Sequence, residues 1–145
     1  MADLTAPGAR PGFPAKWGEA FTEMMFTDLT PMVERTYRVL PGRENRAMAG
    51  LSMSGAQTFK TALGNLDKFD YLGGFSGSCG GRDATFDRKT TCGGAFADAA
   101  AFNKMVKVLF LGIGSSEGPG TKHFSEALTN AGISQHLLRI TRYGS

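Results

Sequence analysis

The chain is short of histidine, cysteine, long apolar runs and charge of one sign, and each shortage removes a class of protein. His123 and His136 are its only histidines, and neither falls at ligand spacing from Cys79 or Cys92, so no zinc set is expected. No apolar run approaches the roughly eighteen residues that a membrane helix needs, and no membrane partner is expected. The net charge is only +3, with lysines and arginines scattered rather than striped, which gives nucleic acid no footprint. Residues 1–16 are rich in proline, glycine and alanine and hold no apolar signal core. They read as a loose arm rather than a targeting peptide, and they assign no compartment. Gly73 to Arg82 is glycine-rich, but it lacks the Gly-Lys-Ser/Thr ending and the following helix of a phosphate loop. No cofactor is implied. The two cysteines bracket a glycine-rich segment. They read either as a disulfide, stabilising by about 3 kcal/mol, or as two reduced thiols.

What the chain does have is Ala49-Gly50-Leu51-Ser52-Met53-Ser54-Gly55. Arg46 to Ala49 is a short, mostly apolar run suited to a buried strand. Ala56 to Leu63 has helical spacing, with Phe59, Ala62 and Leu63 on one face. A serine at that junction is a nucleophile elbow: the turn forces it into strained backbone and exposes its hydroxyl at a helix N-terminus, where negative charge is favoured. The pattern Gly-x-Ser-x-Gly asks for small residues two positions either side of the serine. Gly50 meets that demand, and Ser54 stands where the second glycine belongs, with Gly55 directly behind it.

The surroundings of the elbow carry a resemblance. Asp28 to Arg38, Arg43 to Gly55, Asn65 to Gly77, Val108 to Gly114 and Ala127 to Ile133 together resemble the carbohydrate esterases of the feruloyl and acetyl-xylan esterase type. The likeness covers about residues 17 to 141. It implies a partial, shortened α/β-hydrolase (esterase) domain over 17–145, in which the four strands are the last of the sheet. It also implies a substrate that is a small-molecule or plant-polysaccharide ester. Such domains are longer, with a histidine in a Gly-x-x-His loop soon after the last strand, whereas this sequence stops at Ser145. The loop and strand that would give one oxyanion donor before the elbow have no counterpart either.

Punctuation along the chain gives a matching order of elements. Trp17 to Tyr37 reads as a helix with an apolar stripe, kinked or divided at Pro31. After the elbow strand and its helix come a strand at Tyr71 to Phe75, a short helix at Gly93 to Lys104 and the clearest buried strand at Val106 to Ile113. A helix at Thr121 to Ala131, closed by Gly132, and a strand at Gln135 to Thr141 complete the series. Alternation of strand and helix predicts an α/β class fold: three layers, α/β/α, around a mostly parallel sheet, a truncated α/β-hydrolase. The elbow strand then becomes a sheet edge, and the N-terminal arm or a second copy of the chain is expected to cover it.

Site residues follow from these placements. Ser52 is the candidate nucleophile and needs an imidazole and an acid to hold it. Glu117, at the carboxyl end of the clearest strand, stands where open α/β sheets gather functional groups and where the resemblance puts the triad acid. His123, on the first turn of the next helix, shares the rim with Ser52 and is the candidate base. His136 reads as structural. The Met53 backbone N–H is the expected oxyanion donor. By the resemblance, Arg82 and Phe86 border the substrate cleft. The reading is a serine carboxylesterase working through an acyl-enzyme, against a catalytically silent remnant that keeps the fold for binding or assembly.

Overall fold

The computed structural model describes residues 17–79 and 85–141. Residues 17–39 and residues 40–141 form separate compact units. In the first, helix α1 (Trp17–Met24) passes through a π-helical turn (Met25–Leu29) into helix α2 (Thr30–Thr36). The wide turn ends just before Pro31, whose missing N–H is accommodated in the first turn of α2. The wide turn is held by Thr30, whose backbone N–H and hydroxyl both donate to the Met25 carbonyl.

The second unit is a sheet of four parallel strands in chain order: β1 (Ala47–Leu51), β2 (Tyr71–Phe75), β3 (Val108–Gly114) and β4 (His136–Ile140). The crossovers run through helices α3 (Met53–Leu63), α4 (Ala99–Met105) and α5 (Gly120–Asn130). Crossovers of one hand between strands laid down in order put all three helices on the same face. Their aromatics meet there: Phe124 lies 5.9 Å from Phe59 and 6.2 Å from Phe96, and Phe96 lies 5.1 Å from Phe102. Phe59, Ala62 and Leu63 are buried together, as the helical spacing predicts. Gly74, a poor strand former, is required on this face, because a Cβ there would collide with the Phe59 ring.

Local chemistry corrects one expected element. The helix expected over 93–104 is a 3-10 turn (Thr91–Gly94) followed by α4. Gly93 and Gly94 take φ of +71° and +80°, which ends helical propagation. Asp98 restarts the helix as its N-cap, accepting from the Ala101 N–H at 2.9 Å. The other elements fall within a few residues of expectation, and Gly132 (φ +77°) closes α5.

This unit thus supplies one helix layer. The opposite sheet face carries the Phe75–Phe110 pair, 5.4 Å apart, with Leu51, Leu138 and Ile140 exposed. As expected, β1 is an edge, and no strand among the described residues pairs with its outer side. The arm expected to cover it, residues 1–16, lies outside the described residues.

The amino ends of the strands are pinned by charge. Asp70, buried just before β2, accepts from Arg43 Nε and pairs with Lys107 Nζ at 2.9 Å. Arg43 also donates to the carbonyls of Phe69 and Met105, tying three connections to one carboxylate. The Lys107 ammonium, with Arg43 behind it, holds the Asp70 carboxyl below its ordinary value against the opposing effect of burial.

Candidate active site

The carboxyl ends of the strands are built differently. Ser52 leaves β1 at φ 57°, ψ −117° and begins α3 directly. L-residues rarely adopt that conformation, which costs on the order of 1–3 kcal/mol. Ser52 stands at the N-cap position, yet its side chain accepts no capping hydrogen bond, and the exposed hydroxyl is bonded to no described residue. Its backbone is clamped instead: the Ser52 N–H donates to the Phe75 carbonyl at 2.7 Å, and the Ala56 N–H to the Ser52 carbonyl at 3.1 Å.

Three glycines make the turn fit. A Cβ on Gly50 would collide with the Ser54 carbonyl, one on Gly55 would lie 2.9 Å from the Gly50 carbonyl oxygen, and one on Gly77 would lie 2.8 Å from the Ser52 carbonyl oxygen. Ser54 itself is exposed. The second close approach falls one residue later, on Gly55.

Ser52 faces the end of β2. Ser76, the next residue along, takes φ +54° and donates its N–H to the Gly112 carbonyl at 2.7 Å. Its hydroxyl donates to Glu117 Oε1, also at 2.7 Å. Glu117 lies on the loop after β3, folded back over Gly114, whose absent Cβ would stand 2.8 Å from Oε1. That loop, α5 and β4 enclose a cavity of about 270 Å³, which Glu117, Lys122, Leu137 and Arg139 help to line. Met53 is half exposed as the first residue of α3, where helix geometry leaves backbone N–H groups without an intrahelical acceptor.

The structure thus brings Ser52, Met53, Ser76 and Glu117 to one rim. Ser76 was not legible as a site residue, since a serine after a strand has no distinguishing pattern. His123 is exposed on the first turn of α5, with no bond to Ser52 or Glu117. His136 pairs with Phe110 at the start of β4, three rows below the level of Ser52. Phe86 is half-buried: its ring lies 5.9 and 6.2 Å from Phe96 and Phe124 and also lines an open cavity with Asp87, Arg88 and Ala127. Arg82 lies outside the described residues. Cys79 and Cys92 are bonded, with Cα atoms 5.6 Å apart, which resolves the two readings in favour of the disulfide. The bond ties the segment just beyond Gly77 to the turn before α4.

A family model, Esterase, matches residues 6–136. The chain belongs to the esterase family. The chain is 31% identical over 116 residues to an endo-1,4-beta-xylanase/feruloyl esterase of Xylanibacter ruminicola, a match that covers 79% of the chain and 14% of that protein. A ferulic acid esterase of Anaeromyces mucronatus, solved with ferulic acid, superposes with a TM-score of 0.65 at 23% identity, over 94% of this chain and 53% of the other. The fluorophosphonate-binding serine hydrolase F of Staphylococcus aureus superposes with a TM-score of 0.62 at 18% identity, over 79% and 54%. The resemblance to feruloyl-type esterases and the α/β-hydrolase class of the fold are therefore shown. The chain spans about half the length of these solved structures and about a seventh of the curated relative.

Proposed function

We propose that this chain is a serine carboxylesterase for small acyl or feruloyl-type esters, working through an acyl-enzyme at Ser52. The observation that carries the reading is Ser52: strained backbone, an exposed hydroxyl bonded to no described residue and the N-terminus of α3 behind it. The hydroxyl oxygen attacks the ester carbonyl carbon and passes its proton to an imidazole. The resulting oxyanion accepts from the Met53 N–H, the alcohol leaves with the proton, and water then releases the acid from the acyl-enzyme. Glu117 serves as the acid that orients the imidazole, and His123 is assigned as the base, being the one of the two histidines on the carboxyl rim. The feruloyl or acetyl ester of a plant polysaccharide is the substrate that the relatives suggest.

The absence of an imidazole against Ser52 or Glu117 among the described residues favours a second reading, a remnant that binds without turnover. Incubation with p-nitrophenyl acetate and a fluorophosphonate probe separates the two. The esterase reading expects labelling that vanishes in Ser52→Ala and turnover that is lost in His123→Ala. Labelling without dependence on His123 removes that residue from the mechanism. No labelling and no turnover at all would leave the binding reading.

A further inference from the structure

We infer that Ser76 is a positioning residue for the Glu117 carboxylate, an inference that rests on the acid role proposed for Glu117. Glutamate has one more rotatable bond than aspartate, and on an exposed loop its carboxylate has many places to go. Here one feature admits it and another holds it. Gly114 leaves the space open, since a Cβ there would stand 2.8 Å from Oε1. The Ser76 hydroxyl, 41 residues away in sequence, donates to the same oxygen at 2.7 Å. Oε2 has no bond to a described residue and stays free to accept from an imidazole N–H.

The backbone of Ser76 shows that this hydroxyl comes at a cost. At φ +54°, glycine is the favoured residue and serine is strained. The turn is nevertheless held on both sides. The Ser76 N–H is bonded to Gly112, and Gly77 is wedged against the Ser52 carbonyl and the Ala56 nitrogen, leaving no room for a Cβ. One turn therefore aims the hydroxyl at Glu117 and seats the following residue under the elbow, linking the acid to the nucleophile through the end of β2.

The test compares Ser76→Ala, Ser76→Gly and Ser76→Asn with Glu117→Gln in the full chain. Asparagine tolerates positive φ and can still donate. The first readout needs no turnover: in protein carrying ¹³C-labelled glutamate, the Glu117 side chain is expected to average over more rotamers in Ser76→Ala and Ser76→Gly, and to return toward the parent in Ser76→Asn. The second is kcat against KM for p-nitrophenyl acetate. kcat is expected to fall about tenfold in Ser76→Ala and Ser76→Gly, the loss of one hydrogen bond to a charged group, with KM unchanged and no further loss when either is combined with Glu117→Gln. Rotamer averaging equal in parent and Ser76→Gly would overturn the inference. If Glu117→Gln turns over as fast as the parent, the acid role fails and the positioning role falls with it. A slow Glu117→Gln beside a fast Ser76→Gly overturns the Ser76 role alone.

Discussion

The two ends of the sheet are built on opposite principles. At the amino end, Asp70 is buried and every charge near it is answered, by Arg43, by Lys107 and by backbone carbonyls. At the carboxyl end, Ser52 and Ser76 sit in left-handed backbone, and the Ser52 hydroxyl and one Glu117 oxygen carry no bond to a described residue. One end relieves free energy wherever it can, while the other holds strained and unsatisfied groups in place. The strain is tolerable because it is enclosed: the rungs Ser52 to Phe75 and Ser76 to Gly112 extend the sheet past the turn, and glycine contacts lock it.

The sharpest way to break the contrast is to fill the space on which the strained end depends. Gly50→Ala sets a Cβ against the Ser54 backbone, which no rotamer change can relieve. The first turn of α3 must shift, and we expect a stability loss of about 3 kcal/mol together with loss of fluorophosphonate labelling. Urea melts and labelling on the same samples check both.

Next in size is the amino end. Asp70→Ala leaves Arg43 and Lys107 without their carboxylate. The expected cost is roughly 2 kcal/mol, below the roughly 3–5 kcal/mol of a fully buried pair, because about half of the Lys107 side chain is in water. Ser52 labelling per folded molecule should not change. A labelling loss larger than the unfolded fraction would show that the two ends are coupled.

The sequence disclosed these ends unequally. The alternation of elements, the elbow and the division at Pro31 were legible because each is written in neighbouring residues: the apolar run, Gly50-Leu51-Ser52, the missing N–H. The break before α4 was less so, since Gly93 and Gly94 can end a helix or sit inside a weak one, and the Asp98 cap decides between them. Long-range partners were not legible. Gly74 looks like a weak point in β2 until the Phe59 ring is seen against it, and no spacing places Phe86 beside Phe96 and Phe124. Ser76 and Glu117 meet across 41 residues, and no periodicity reports such a pair.

A smaller effect is set by pH. The folded-state carboxyl of Asp70 titrates below its ordinary value of 3.8, held down by Lys107 and then Arg43. A depressed acid contributes stability that is complete above its unfolded value and is lost as pH falls through the folded one. Urea midpoints should therefore hold from pH 7 to about pH 5 and drop below about pH 4. In Asp70→Asn that acid limb should be shallower. An unchanged limb would move its origin to other carboxylates.

The smallest expected change is a gain. Ser52→Gly removes the side chain from a backbone position that favours glycine, so the folded state is relieved at φ 57°. Glycine also makes the unfolded chain more flexible, which opposes the gain. The strain of roughly 1–3 kcal/mol exceeds that entropy term of roughly 0.4–1 kcal/mol, and the net is a stabilisation of about 1 kcal/mol. Thermal melts of Ser52→Gly beside Ser52→Ala isolate the backbone contribution, since alanine removes the hydroxyl and keeps the Cβ that makes the turn costly. If both variants melt with the parent, the elbow stores no strain, and the two ends differ in exposure alone.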